Sequence, residues 1–256
     1  MKNNKGVWDN LWALSNISLS EFENTSLKTE AKSERWIKIE IEVMNKWGSF
    51  KNLEVIELGS GMGTVSLLMA LKGANVTLVD YSTKALEQAK VLFKNFKCNA
   101  TFLSGDIINL PDYLYNKYDV SMSFGVAEHF ENEDRNNIFK SHFIVLKDNG
   151  MSFISVPNKL SFPYLIWKKI SELKNTWLYG LEIPFTRSEL SNRAIASGYN
   201  SLKIIISPFL NSLDHFMLHN KLSRLGIITE RSSFLDYHFG YALTLIGYKN
   251  MTEESL

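Results

Sequence analysis

Leu-Glu-Val-Ile-Glu-Leu-Gly-Ser-Gly-Met-Gly-Thr, residues 53–64, is the stretch on which the rest of the chain turns. Leu53, Val55, Ile56 and Leu58 form a short apolar run that reads as a buried strand. It leads directly into glycines at alternate positions, Gly59, Gly61 and Gly63. From Thr64 the periodicity becomes helical, with Val65, Leu67, Leu68 and Leu71 on one face and Gly73 placed to end the helix. Glycines between a strand and a helix let the backbone turn sharply and approach a ligand closely, with the helix N-terminus behind it.

The alternation continues downstream. Ala74 to Val79 reads as a second strand ending at Asp80. An acidic residue there, about 20 residues past the glycine turn, can accept from both hydroxyls of a ribose. Its alternative use is to cap the next helix. Tyr81 offers a ring to lie along an adenine, and Ser82 an N-cap for a helix burying Ala85, Leu86, Ala89, Leu92, Phe93 and Phe96. Ala100 to Leu103 makes a third strand, followed by Ser104-Gly105-Asp106-Ile107, in which Gly-Asp is also ordinary turn chemistry. Residues 118–124 make a fourth strand running into Gly125-Val126-Ala127-Glu128-His129-Phe130. A helix, a turn at 148–150 and a fifth strand, Met151 to Val156, follow. Such alternation predicts an α/β fold with a parallel sheet, helices on both faces and a ligand site beyond the carboxyl ends of the strands.

The glycine spacing discriminates between ligands. The dinucleotide fingerprint G-x-G-x-x-G needs a third glycine at position 64, which is Thr64. The pattern present, E-x-G-x-G-x-G from Glu57, resembles the first motif of the class I S-adenosyl-L-methionine (SAM)-dependent methyltransferases, and the resemblance covers about 53–156. It implies a doubly wound, mostly parallel seven-stranded sheet with a final antiparallel hairpin. It also implies SAM as cofactor and S-adenosyl-L-homocysteine (SAH) as product. Glu57, Gly59, Gly61 and Gly63 would hold the methionine end, with Gly125 near its amine. Asp80 would hold the ribose, with Tyr81 beside it, Asp106 would accept from the adenine amine, and Ile107 would pack on the ring.

Methyl transfer from a sulfonium needs a positioned nucleophile, excluded water, and a base only where a proton must leave. His129, with Glu128, is the catalytic candidate, because it lies just past the fourth strand and imidazole takes protons near neutral pH. The alternative is that Glu-His opens and caps the following helix. The segment resembles that of ubiquinone-biosynthesis O-methyltransferases. It is also similar to the E-x-x-E-H of small-RNA end methyltransferases, whose residues bind a metal, but Gly125 stands at their first Glu. Gly-x-x-Glu-His-Phe is similar, too, to cyclopropane fatty acid synthases, where the Glu holds a bicarbonate. Ser123-Phe124-Gly125-Val126 is not the Asn/Asp-Pro-Pro-aromatic motif of amino-methylating DNA enzymes, and Cys98 follows Lys97 rather than the proline of pyrimidine C5 enzymes.

The flanks read as additions: an N-terminal helical segment (1–50), the core (51–156), a cap insertion (157–185) and a C-terminal part (186–256) with a second insertion near 207–236. Residues 7–16 and 31–47 have helical spacing, the second with Trp36, Ile37, Ile41, Met44 and Trp47 on one side. Both serve either as packing helices or as a lid, and Arg35 either reaches the SAM carboxylate or stands, as is commoner, on a solvated face. The 157–185 segment combines lysines with Phe162, Tyr164, Trp167, Trp177, Tyr179 and Phe185, as a pocket cap or, alternatively, a membrane-surface helix. Thr186 and Glu189 form a capping box for a helix ended by Gly198. Strands at Ser201–Ile206 and Phe239–Lys249 complete the sheet. Asp214, His215 and His219 read as a solvated helix face rather than a metal site.

With 28 basic and 27 acidic side chains, the net charge of +1 gives no electrostatic case for nucleic acid. The lone Cys98 excludes an internal disulfide or a cysteine zinc cluster. A soluble, cytoplasmic enzyme acting on a quinone, sugar, lipid or natural-product-like small molecule is expected, without a metal. The alternatives are a SAM-binding protein without turnover, a methyltransferase working on lipid at a membrane surface, and a nucleotide-dependent oxidoreductase.

Overall fold

The computed structural model describes residues 5–14, 26–210, 212 and 234–250. Its centre is β1 (Glu54–Leu58), which pairs in parallel with β2 (Asn75–Asp80) on one side and β4 (Tyr118–Phe124) on the other. β3 (Ala100–Ser104) lies outside β2, and β5 (Leu146–Pro157) outside β4, both parallel. β7 (Ala242–Tyr248) inserts antiparallel between β5 and β6 (Ser201–Ile206). The seven-stranded order is therefore β3-β2-β1-β4-β5-β7-β6, the expected mixed sheet with its antiparallel hairpin. Neighbouring β2 and β4 leave β1 in opposite directions through the strand order, which opens a crevice at the carboxyl ends of β1 and β4.

Alternation along the strands separates two apolar layers. Val55 faces one, formed with α3 (Glu34–Trp47), α4 (Thr64–Leu71) and α5 (Thr83–Asn95). Ile56 and Leu58 face the other, which includes Ile138 and Phe139 of α6 (Asp134–Val145) and Leu190 and Ala194 of α8 (Arg187–Ala196). Of the two remaining N-terminal helices, α1 is Lys5–Leu14 and α2 is the single turn Lys28–Ala31. In the aromatic segment α7 spans Phe162–Leu173, and α9 is the turn Asp236–Phe239 before β7. No helix among the described residues is long and apolar enough to cross a membrane.

Four expectations are corrected. The turn expected at 148–150 lies within β5, which begins at Leu146 rather than Met151, with a register irregularity against β4 between Tyr118 and Val120. Ser33 Oγ accepts from Trp36 N–H and caps α3, so that helix starts at Glu34 rather than near 31. It buries Trp36, Ile39 and Val43, while Ile37, Ile41 and Met44 remain exposed. Both sets have helical spacing; the sheet takes the one whose indole stacks on Phe50, with ring centroids 6.0 Å apart. Phe239 belongs to α9, because its N–H donates to Leu235 O (2.8 Å) and Gly240 N–H donates to Asp236 O (3.0 Å), closing a helical turn before the strand; the Asp236 carboxylate accepts from Phe209 N–H (2.7 Å). Thr186 Oγ1 does cap α8 through Glu189 N–H, but the Glu189 side chain takes Arg135 and Arg193 instead of closing the box. Cys98 is half-buried. Asp214, His215 and His219, and most of the expected second insertion, lie outside the described residues.

Candidate active site

A cavity of about 1360 Å³ opens beyond the carboxyl ends of β1, β2 and β4. Every residue singled out in the sequence lines it: the cofactor candidates from Glu57 to Gly125, and Glu128 and His129 beside them. Residues distant in sequence meet there because each follows a strand of one parallel sheet.

The glycine turn is conformationally obligatory. Gly59, Gly61 and Gly63 have φ of +72°, +53° and +67°, which L-residues with side chains rarely adopt. Space is equally restrictive: a Cβ on Gly59 would lie 2.8 Å from Val126, and one on Gly63 only 2.2 Å from Leu78. The turn's own amides are used internally. Gly59 and Ser60 N–H donate to Val79 O (2.8 and 3.1 Å), Gly63 N–H to Ser60 O (2.8 Å), and Gly61 N–H to Asp80 Oδ2 (2.8 Å). A pyrophosphate cradle needs such amides pointing outward; those of Gly59, Ser60, Gly61 and Gly63 are engaged within the protein.

Carboxylates mark the three strand ends. Asp80 is 6% exposed; Oδ1 accepts from Ser82 N–H (2.8 Å) and Oδ2 from Gly61, leaving each oxygen one acceptor site. Burial raises its pKa, opposed by these backbone bonds. Glu57, on β1, accepts from Ser66 Oγ at 2.6 Å, and its burial pushes the pKa up to about 8. Asp106 is exposed and accepts from Ile108 N–H (2.9 Å) and Asn109 Nδ2 (2.8 Å), so it is a turn residue that also faces the cavity. Ile107 beside it is buried at 5%. Tyr81 is half-buried, and its hydroxyl hydrogen-bonds the Trp8 side chain.

On the β4 side, Gly125 N–H donates to Ser155 O (2.9 Å), and Ala127–His129 forms a single 3-10 turn. His129 Nδ1 lies 2.5 Å from Leu181 O, an arrangement in which the ring donates. Trp8 meets the same ring edge-on at 4.8 Å. Burial lowers the His129 pKa to about 4, against the raising effect of the Leu181 and Gly125 backbone, so the imidazole is neutral near pH 7. Glu128 is 2% exposed, and burial first, then Glu182, holds its carboxyl well above the usual range.

Two groups in this site carried no readable motif. Glu182 lines the cavity, with its carboxyl raised to about 7 by burial. Arg135 is 4% exposed: Nε meets Glu189 Oε1 (2.8 Å), Nη2 donates to Ile183 O (3.0 Å) and Nη1 to Phe130 O (3.3 Å), over the Phe185 ring at 3.5 Å. It ties the segment carrying Glu182 to the one carrying Glu128. The aromatic segment 157–185 also reaches the site through Tyr164, Trp167, Trp177 and Tyr179.

α1 lies across the opening. Trp12 covers the glycine turn so closely that a Cβ on Gly61 would meet its ring at 2.6 Å, and Asp9 accepts from Ser82 Oγ at 2.6 Å. α1 therefore packs on the glycine turn and forms part of the cavity wall. Arg35 also lines the cavity, paired with Glu30 and placed 4.7 Å over the Phe124 ring.

Residues 55–150 match the family described as a methyltransferase domain. A ubiquinone biosynthesis O-methyltransferase of Rickettsia canadensis is 27% identical over 139 residues, which cover 54% of this chain and 56% of that protein. Its counterpart in Pelagibacter ubique is 30% identical over 128 residues, 50% of this chain and 52% of that one. The chain thus spans about half the length of the curated relatives it matches. Among solved structures, a putative sarcosine dimethylglycine methyltransferase from Galdieria sulphuraria superposes with a TM-score of 0.62 at 16% identity, covering 96% of this chain and 98% of that one. A magnesium protoporphyrin IX methyltransferase from Synechocystis, solved with bound SAH, gives 0.60 at 15% identity over 96% and 93%. At such identities these two structures speak for the fold.

Proposed function

We propose that this chain, which resembles the class I SAM-dependent methyltransferases in sequence over 55–150 and in fold, transfers the methyl group of SAM to an oxygen or nitrogen of a small molecule. One observation carries this: carboxylates from three successive strand ends converge with an internally hydrogen-bonded glycine turn on one cavity. These groups fit the cofactor's donors and offer no cluster of cations for a phosphate. Glu57 and Gly125 would face the methionine ammonium, Asp80 the ribose hydroxyls, and Asp106 the adenine amine, with Tyr81 and Ile107 along the ring. Bound SAM supplies an activated methyl, so the chain's own tasks are positioning, water exclusion and any proton removal. α1 and the aromatic segment exclude water. Oxygen as the accepting atom is supported by the names of the curated relatives.

Between the two catalytic candidates, Glu128 is the better base. His129 is held by backbone and has a pKa of about 4, far below the operating range for proton abstraction, which makes it a positioning residue. Burial raises the Glu128 pKa, which strengthens it as a proton acceptor once ionised, and one of its buried oxygens has no hydrogen-bond partner among the described residues. Incubation with methyl-labelled SAM and a panel of hydroxylated and amino acceptors tests the proposal. Label should move to an acceptor, and Glu128→Gln should slow transfer more than His129→Asn; SAH binding with no transfer to any acceptor would instead favour a SAM-binding protein without turnover.

The Glu57 environment adds a pH signature. Its folded pKa of about 8 lies above the ordinary carboxyl value of 4.5, with Arg35 lowering and Glu30 raising it from nearby. The empty protein therefore holds a proton there at pH 7, and its stability falls as pH rises from 4.5 towards 8. A cofactor ammonium beside Glu57 favours ionisation, so SAH binding at pH 7 should release a proton, and the release should fade above pH 8. Calorimetry in buffers of different ionisation enthalpy measures this, and Glu57→Gln should abolish it. Proton release unchanged in that variant would refute the assignment.

A further inference from the structure

The part of the cavity lined by Glu128, Glu182 and the aromatic segment adjoins the expected cofactor site at Gly125 and carries features beyond the three strand-end carboxylates. Glu128 Oε2 and Glu182 Oε1 are buried and lack a hydrogen-bond partner among the described residues. A buried unpaired acceptor is destabilising, so two in one cavity call for a donor. The two carboxyls are close enough to affect one another, and Tyr241 senses both. Beside them runs an unbroken chain of rings. Tyr241 and Tyr164 have centroids 5.4 Å apart, Tyr164 and Trp167 6.4 Å, Trp167 and Trp177 5.5 Å, and Trp177 and Tyr179 5.2 Å.

Charge narrows the ligand further. Among the described residues lining the cavity, Arg35 is the sole Lys or Arg, and it is already paired with Glu30; all the other charged ones except neutral His129 are Asp or Glu. The whole chain is near neutral, so this acidity is local. It disfavours a carboxylate or phosphate on the acceptor. Among the described residues no set of three or more His, Cys, Asp or Glu is arranged to hold a metal ion. An organic cation meets every feature: an ammonium brings three donors and no acceptor, and aromatic faces attract it.

Resting on the methyltransferase reading for the adjoining cofactor site, we propose that this part of the cavity binds an acceptor with a protonated amine on a flat apolar body, the ammonium between Glu128 and Glu182 and the body against the Tyr241–Tyr179 ring chain. A hydroxyl in place of the amine would satisfy one carboxyl oxygen at most as donor, and a carboxylate would satisfy neither.

Tyramine, tyrosol and 4-hydroxyphenylacetate share a ring and differ only in an ammonium, hydroxyl or carboxylate terminus. Each is titrated into the full chain by calorimetry, with and without saturating SAH. Tyramine should bind at least about tenfold tighter than tyrosol, with the acid weakest. Glu182→Gln should remove that preference while SAH affinity stays near wild type, which also shows that the variant is folded. Equal affinity for tyramine and tyrosol, tightest binding of the acid, or no binding of tyramine overturns the proposal. SAH binding without amine preference would leave the cofactor reading intact; amine preference without SAH binding would leave this subsite standing and remove the cofactor.

Discussion

Asp80→Ala is expected to weaken SAH binding about a hundredfold. Hydrogen bonds to a charged group are each worth roughly 1.5–3 kcal/mol, and two ribose hydroxyls at the low end give about 3 kcal/mol, two powers of ten in Kd. The loss is compounded because the same carboxylate fixes the ligand-facing backbone, accepting from Gly61 on the turn and Ser82 at the start of α5. Asp80→Asn keeps one acceptor and should fall between the two. Calorimetric titration of each variant, with circular dichroism to verify the fold, measures the effect. Unchanged affinity in Asp80→Ala would remove the ribose assignment.

Arg135→Ala should have the largest effect on stability. Its guanidinium is buried, serves Glu189, Ile183 O and Phe130 O, and sits over the Phe185 ring. Glu189 is partly exposed and keeps Arg193, so the cost comes chiefly from the stranded Ile183 and Phe130 carbonyls, about 1–3 kcal/mol each. In a chain of this size that corresponds to a fall in Tm on the order of 10 °C. Arg135→Lys should recover little, because a point charge cannot serve three acceptors in a planar fork. Thermal denaturation reads the effect; a Tm within about 2 °C of wild type would show that the 181–185 segment is held by other contacts.

The core of the fold was legible because local and global signals agreed. From Leu53 to Val156, strand runs, helical periodicity, and caps such as Ser82 coincide with the elements observed except at 148–150, where the expected turn lies within β5, and the glycines at 59, 61 and 63 have positive φ. Site residues at strand ends were legible for the same reason, since a parallel sheet gathers them at one edge. α3 was misjudged because two apolar stripes share its period, and only the partner surface decides which is buried. The start of β7 differs because Phe239 suits a strand, whereas the helical turn closed by Leu235 O and Asp236 O is anchored by the Asp236 bond to Phe209, a tertiary contact.

Glu182 and Arg135 left no local trace. Glu182 sits in an irregular stretch between Leu181 and Ile183, and its importance comes from facing Glu128 across the cavity. Arg135 looks like one more polar residue in Asp134-Arg135-Asn136-Asn137, and its partners Ile183 and Glu189 are 48 and 54 residues away. The weak available signal was the aromatic cap itself, which announced a pocket wall without stating its charge.

Calorimetric titration with SAH, using NAD as the control, tests the central claim most directly. One-to-one SAH binding with a Kd on the order of micromolar, and no heat from NAD, is the expected result, because the amides of Gly59, Ser60, Gly61 and Gly63 are engaged within the protein and the strand ends offer carboxylates. Binding of NAD with none of SAH would contradict it, and the roles assigned to Glu57, Asp80 and Asp106 would fall together.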